Sequence, residues 1–302
     1  MLYKQLPLFL LMLMSSYTLT AQEIDLNKEL EEEKEKPKTQ YITNTFQSTR
    51  IINSHTIEIT PKGYMDFRIA HRFGTLNGGF YELFGLDNAS MRMSFDFGVT
   101  PNLMFGVGRS TYQKQYDAFG KYRFLRQSKG ERTMPISAAI ASSIMLTTLK
   151  WQDPTRENLF SSRLQYAHQL IIARKFSEGT AIQLMPTMVH YNLVPKASDP
   201  NDILALGIGG RQRITKMVSV NAEYYYLLPG SRFEGTTNSF SIGFDIETAG
   251  HVFQLHFTNS RGMTERTFIS ETAGSWGKGN ILFGFNISRM FNLQKKKKVK
   301  TA

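Results

Sequence analysis

The chain has 302 residues, 41% of them hydrophobic, and a formal net charge of +11 at pH 7. It contains no cysteine, which excludes disulfides, thiolate metal sites and a lipid-anchoring cysteine. Much of the positive charge lies in KKKKVK at 295–300 and the remainder is scattered, so the sequence does not indicate nucleic-acid binding.

The first 22 residues, MLYKQLPLFLLMLMSSYTLTAQ, combine an early lysine, an apolar stretch from Leu6 to Met14 and a small residue at Ala21. This pattern predicts a signal peptide that is cleaved near Ala21 and exports the chain. Residues 23–40 are mostly charged and polar, which predicts a flexible linker. No later apolar run reaches the roughly 18 residues of a membrane-spanning helix.

Period-two alternation of apolar and polar residues runs from about Ile51 to Phe291 and predicts an all-β chain. Most of the predicted strands match the roughly 9–11 residues that cross a bilayer, whereas strands of soluble proteins average five or six. The predicted strands cover 52–60, 64–73, 89–99, 103–112, 116–126, 134–146, 161–175, 180–190, 203–213, 218–228, 239–247, 251–259 and 280–291.

The predicted connections alternate between short turns and long loops, with one exception at 113–115. This alternation is typical of an outer-membrane barrel, in which short turns face the periplasm and long loops face outward. Thirteen segments do not fit the even strand count of such barrels. We therefore predict an antiparallel transmembrane β-barrel of 12 strands over 41–291, with 41–60 inside or beneath it. The alternative is a barrel of 14 strands. Residues 292–302 are predicted to form a basic tail after the barrel.

Bulky apolar residues occupy one face of each strand and small or charged residues the other. Because the bore of a small barrel cannot hold rings of phenylalanine, we expect Phe244, Phe283 and Phe285 to face lipid. A soluble barrel with an apolar interior has the same periodicity and is the alternative, but strand length and the signal peptide favour the membrane.

In this register the polar face places 14 titratable residues in the lumen. If these residues pair with one another, their charges are compensated inside a narrow lumen. If the lumen is a pore, the mild excess of basic groups would favour anionic solutes. The candidates are Asp66, Arg68, Arg72, Arg92, Asp96, Lys121, Arg123, Arg163, Arg211, Arg213, Glu223, Asp245, Glu247 and His256.

The sequence gives no catalytic, cofactor or metal signature. The six histidines show no metal-ligand spacing, no G-x-S-x-G motif occurs, and no Ser–His pair is evident on the lipid-facing surface. FGVGRS at 105–110 lacks the ending of a phosphate loop and lies within a predicted strand. We therefore predict no cofactor and no enzymatic activity, and a lipid hydrolase is the least favoured hypothesis.

Several stretches resemble a family of Bacteroidota outer-membrane β-barrels that has no assigned activity. They are AHRFG (70–74), FGLD (84–87), GVGRS (106–110), QLIIARKF (169–176), QLMPTMVH (183–190), GIGGR (207–211), DIETAGHVFQLHFTNS (245–260) and FGFNISR (283–289). The resemblance covers about 45–291 and implies a barrel, an outer-membrane address and insertion by the barrel-assembly machinery. It implies no substrate.

The sequence thus predicts an exported outer-membrane barrel in contact with lipid. Its expected role is a passive narrow channel or a structural barrel for small, mostly anionic solutes. The alternative is a binding or assembly component that uses loops 74–88, 147–160 and 260–279 and transports nothing. The sequence does not indicate whether the lumen is open or which protein partner it has.

Overall fold

The computed structural model describes residues 38–294 except 152, 156 and 249. The predicted signal peptide, nearly all of the predicted linker and most of the basic tail lie outside the described residues. No helix among the residues described is long and apolar enough to cross a membrane.

Twelve antiparallel strands close into a barrel, because each strand pairs with its neighbour and the last pairs with the first. The strands are β2 (Tyr64–Thr75), β3 (Ala89–Gly98), β4 (Leu103–Ser110), β5 (Gln115–Leu125), β7 (Ser137–Thr147), β8 (Leu164–Lys175), β9 (Thr180–Tyr191), β10 (Asp202–Arg213), β11 (Val218–Leu227), β12 (Ser239–Glu247), β13 (His251–Thr258) and β14 (Leu282–Asn292). Two short strands, β1 (Gln40–Tyr41) and β6 (Ser128–Lys129), form a separate two-stranded sheet. The prediction of twelve barrel strands is confirmed.

The two ends of the barrel differ in their connections. One end, here the short-turn end, carries 99–102, 126–136, 176–179, 214–217 and 248–250. The other, the long-loop end, carries 76–88, 111–114, 148–163, 192–201, 228–238 and 259–281. The connection at 126–136 is longer than the predicted turn because it includes β6, which pairs with β1 beside the barrel mouth.

The outer surface of the wall is apolar. Leu184, Leu206 and Phe244 are 42%, 45% and 51% exposed, while residues between them along each strand are buried. Phe283 and Phe285 also lie outside, where their rings stack with Phe73 and His71 of the neighbouring strand. The predicted outward orientation of the large apolar side chains is therefore confirmed.

The segment predicted as a strand over 52–60 is not a strand. Residues 44–60, here called the inner hairpin, enter the barrel at the short-turn end, reverse direction and return to it. The Ile51 amide donates to the Ser54 carbonyl and the Thr56 amide to the Thr49 carbonyl, both at 2.9 Å, which closes the reversal. Most residues of the inner hairpin are buried.

A second segment enters the bore from the long-loop end. Residues 260–272, here called the capping loop, contain a single π-helical turn, Arg266–Ser270, and are almost wholly buried. A loop can be buried only if its polar backbone finds partners, and here the barrel wall and the inner hairpin supply them. The bore is therefore filled from both ends.

Candidate functional site

The tip of the inner hairpin is bound by Glu223, a bore-facing residue of β11. One carboxyl oxygen accepts hydrogen bonds from the Asn53 amide and side chain, each at 2.9 Å. The other accepts from the Ser54 amide at 3.0 Å, the Ser54 hydroxyl at 2.7 Å and the Ile52 amide at 3.3 Å. Glu223 is 2% exposed. A single buried carboxyl group therefore satisfies the three successive backbone donors of the reversal.

Other polar wall residues hydrogen-bond to the hairpin backbone, which a neighbouring strand would do in a regular sheet. The Gln183 side chain accepts from the Ile57 amide at 2.9 Å and donates to the His55 carbonyl at 2.7 Å. Lys121 Nζ donates to the Thr56 carbonyl at 2.9 Å. Gln254 and Asn286 donate to the Ile51 and Ile52 carbonyls at 2.6 and 2.9 Å. These long polar side chains explain how irregular backbone is accommodated inside the barrel.

One side of the bore is apolar, whereas the sequence analysis placed only the polar face of the strands in the lumen. The wall there is lined by alanines and by larger apolar residues of β7–β11, and the hairpin contributes Phe46, Ile51 and Ile57. The capping loop adds Phe268 and Ile269 to the same cluster. Gly209 faces the hairpin so closely that a methyl group there would overlap Ile51 Cδ1. The small wall residues therefore make room for a packed core inside the barrel.

The inner hairpin and the capping loop meet in the middle of the bore. Arg50 Nη1 lies 2.5 Å from Glu265 Oε1, and His55 Nε2 lies 3.2 Å from the same oxygen. Arg50 and Glu265 are 5% and 2% exposed. The His55 ring also packs edge-on against Phe119 at 4.4 Å. The segments that enter from opposite ends are therefore in direct contact inside the bore.

The hairpin and the charged side of the wall enclose a small cavity of about 10 Å³. Arg50, Arg68, Arg72 and Arg92 line it together with Asn53 and Met263. A cavity of this size holds about one water molecule. It is too small to serve as a solute-binding compartment.

The structure buries ten of the fourteen predicted lumen candidates on the bore face. They are Asp66, Arg68, Arg72, Arg92, Asp96, Lys121, Arg211, Glu223, Asp245 and His256. Arg123 and Arg213 are half-buried at the short-turn end of their strands. Neither ring nitrogen of His256 has a hydrogen-bond partner among the residues described.

Two candidates do not line the lumen. Arg163 lies in the 3-10 turn Phe160–Arg163 before β8, where its guanidinium stacks over Trp151 and donates to the Thr147 and Leu149 carbonyls. Glu247 is exposed at the last position of β12. Arg163 precedes the first residue of β8 and Glu247 is at the rim of the wall, so the alternating pattern alone did not show where the buried part of each strand begins or ends.

Sequence reasoning missed three charged residues of the interior. Asp117 forms a two-point ion pair with Arg92, with Nε–Oδ1 and Nη2–Oδ2 distances of 2.9 and 2.5 Å. Arg50 and Glu265 lie in segments without strand periodicity. Asp117 could have been found, because it shares the parity of Lys121 on β5.

With these additions the buried charges of the described chain balance, six basic against six acidic. The basic excess expected in the lumen is therefore absent from the buried set. The basic groups are Arg50, Arg68, Arg72, Arg92, Lys121 and Arg211, and the acidic groups are Asp66, Asp96, Asp117, Glu223, Asp245 and Glu265.

A Ser–His pair does lie on the outer surface, which corrects the sequence analysis. His168 Nδ1 is 3.0 Å from Ser142 Oγ across the β7–β8 pairing. Ser142 is at the middle of β7, so the pair faces the hydrocarbon layer, where the water needed for hydrolysis is scarce. In the described structure no carboxylate or amide orients the imidazole. Mutual hydrogen bonding of two polar groups in lipid accounts for the geometry.

No cluster of potential metal ligands occurs within the described ranges.

An exposed ion pair joins two loops at the long-loop end, where Lys196 Nζ lies 2.5 Å from a carboxyl oxygen of Glu234. The hydrogen bond and the positive charge of Lys196 lower the pKa of Glu234. Both groups are exposed, so the pair contributes little to stability.

These features define a membrane-spanning β-barrel of the outer-membrane type. The strand number is even, short turns lie at one end, long loops lie at the other, and the outer surface is apolar at alternate positions. The architecture is that of a channel-like barrel whose bore is filled.

The chain belongs to the family described as membrane bound beta barrel domain (DUF5777), whose model matches residues 46–291. This confirms the predicted resemblance to a barrel family without an assigned activity. No curated protein matches the sequence.

Solved structures with a similar fold include a NanC porin at 7% identity, covering 75% of this chain and 98% of that one, with a TM-score of 0.45. A KdgM porin has 9% identity, coverages of 76% and 99%, and a TM-score of 0.45. The Acinetobacter baumannii outer membrane protein Omp33 has 9% identity, the same coverages and a TM-score of 0.43. Similarity at this level concerns the barrel architecture alone.

Proposed function

We propose that this protein is a sealed barrel that acts through its two ends rather than by free passage of solutes. The proposal includes export of the chain, removal of its signal peptide and insertion into the outer membrane. The single observation that carries the proposal is the contact of Arg50 and His55 with Glu265, where the inner hairpin and the capping loop meet. The role is that of an anchored binding or assembly component. The balanced buried charge gives no reason to assign an anion preference.

The long-loop end offers surfaces for a partner. A cleft of about 480 Å³ lies between loops 148–163 and 192–201, with Trp151, Tyr191 and Leu193 among its apolar lining and Arg163 and Arg266 among its charged lining. A second cleft of about 340 Å³ lies between 76–88 and the capping loop. Clefts that combine aromatic and charged groups suit recognition of a partner or ligand.

A gated channel is the second candidate. The inner hairpin enters and leaves at the same end, so its withdrawal would break no strand pairing of the barrel wall. Withdrawal would, however, expose Phe46, Ile51 and Ile57, and burial of each such side chain contributes about 1.5–3 kcal/mol. The closed state is therefore expected to dominate unless a ligand or partner stabilises the withdrawn hairpin.

Planar-bilayer conductance of the purified protein tests the proposal. We expect no steady ion current from the full chain. A variant in which 44–59 and 260–272 are each replaced by a short Gly/Ser linker serves as the positive control, because a barrel of this size without its two inserted segments has space for water. Steady current from the folded full chain would overturn the sealed barrel. Current that appears only in bursts would favour the gated channel instead.

A further inference from the structure

A pocket at the short-turn end concentrates three arginines and no acidic residue. It has a volume of about 300 Å³ and lies between the 99–102 turn, the end of β5 and the 126–136 connection. Arg123, Arg126 and Arg132 line it, with Tyr41, Asn102 and Phe124 among the other residues. Within the described part of the chain, no carboxylate lies within 4.0 Å of any of the three guanidinium groups.

Local backbone geometry brings these arginines together. In a regular strand, side chains three positions apart point to opposite faces. The pairing of β5 with β7 shifts register between Arg123 and Leu125, which breaks the alternation and lets both Arg123 and Arg126 reach the same pocket. Bulges of this kind re-aim side chains at the rims of barrels.

Two of the guanidinium groups are held in place, and so is the backbone that carries the third arginine. Arg123 Nη2 donates to the Pro101 carbonyl at 3.0 Å, and the Arg126 guanidinium lies 4.5 Å above the Tyr41 ring. The Arg132 amide donates to Thr39 Oγ1 at 3.2 Å, which fixes the connection that carries the third arginine. Held guanidinium groups lose little conformational entropy when they bind an anion.

We propose that this arginine pocket binds a phosphate group. Arginine forks match the oxygens of phosphate in two-point hydrogen bonds. The Glu58 carboxylate interacts electrostatically with Arg123 but forms no ion pair with it, and three converging positive charges favour an anion of high charge. Phe124 is 52% exposed and lines the pocket, which places the site beside the lipid boundary. The phosphate can therefore come from a phospholipid headgroup or from a free phosphate compound.

Two binding measurements on the full chain test the proposal and separate the sources. Calorimetric titration of the detergent-solubilised protein with inorganic phosphate, against chloride at equal ionic strength, probes the free anion. Native mass spectrometry of protein from nanodiscs of mixed phosphatidylglycerol and phosphatidylcholine probes the lipid. We expect saturable binding in at least one arm, and the arm that responds identifies the source.

Arg126→Gln and Arg132→Gln are each expected to weaken that binding about tenfold or more, because each removes a charge-assisted hydrogen bond. Arg126→Lys, which keeps the charge and loses the fork, is expected to give an intermediate loss. Arg174→Gln is the matched control, since Arg174 is exposed at the same end and stacks over Phe176. Circular dichroism and heat-modified gel mobility establish that each variant is folded. The proposal is overturned if neither arm shows binding, or if folded variants of Arg126 and Arg132 bind like the Arg174 variant.

Discussion

At the scale of single residues, Glu223 links the wall of the barrel to what fills it. Its carboxyl group accepts five hydrogen bonds from the hairpin tip, and the residue is 2% exposed. Buried polar groups of this kind are satisfied only as a set, because removal of one acceptor leaves several donors unpaired. The alternating pattern placed Glu223 on the bore face, but nothing in the local sequence indicated its partners, which lie about 170 positions earlier.

Glu223→Gln is expected to lower the free energy of unfolding by about 2–4 kcal/mol, because the new amide presents donors to backbone donors of the hairpin. Urea titration of the protein in lipid vesicles measures the change. Hydrogen exchange of amides 51–57 should rise in parallel. Glu247→Gln removes the same charge from an exposed position on the neighbouring strand and is expected to change the unfolding free energy by less than about 0.5 kcal/mol. Equal effects of the two substitutions would contradict the role given to Glu223.

At the scale of secondary structure, the strands and the inserted segments follow different rules. The strands show period-two alternation, so their number and orientation could be predicted from sequence. The inner hairpin alternates over 52–60, which led to the wrong prediction of a strand there, and the capping loop shows no alternation. Both contact the wall through backbone groups and a few apolar side chains rather than through one regular face. The apolar side of the bore was not predicted because it is lined in part by alanines such as Ala139, Ala141 and Ala167. These small residues do not form a recognisable apolar face in the sequence.

The outward orientation of the strands makes a prediction at this scale. Leu184→Arg places a charge in the middle of the lipid-facing side of β9 and is expected to destabilise the barrel by about 2–4 kcal/mol in phospholipid vesicles. Leu193→Arg is the matched control, because Leu193 is 51% exposed in the loop after β9, outside the wall. Urea titration of both variants gives the comparison. A barrel that tolerates Leu184→Arg as well as Leu193→Arg would not have this face in lipid.

At the scale of the whole molecule, the chain combines a membrane barrel with an interior like that of a soluble protein. The apolar outer face of the wall suits the membrane, whereas the filled bore is the basis for the proposal of a sealed barrel. The strand count and the outward face could be derived from alternation, strand length and parity. Parity also placed 41–60 inside or beneath the barrel, but the contacts that fill the bore could not be derived, because the contact between Arg50 and Glu265 joins residues 215 positions apart and depends on the three-dimensional path of two irregular segments.

The position of the inner hairpin is tested most directly by cross-linking of engineered cysteines, since the chain has no cysteine of its own. Asn53 Nδ2 lies 3.3 Å from Ser241 Oγ on β12, so cysteines at these two positions are close enough to be joined by a short bifunctional thiol reagent. The double variant Asn53→Cys/Ser241→Cys is expected to form an intramolecular cross-link with such a reagent in the membrane, detected by mass spectrometry after proteolysis. The pair Asn53→Cys/Ser198→Cys, whose second position is exposed in the 192–201 loop, is expected to form none. A folded barrel without the 53–241 link would contradict a filled bore.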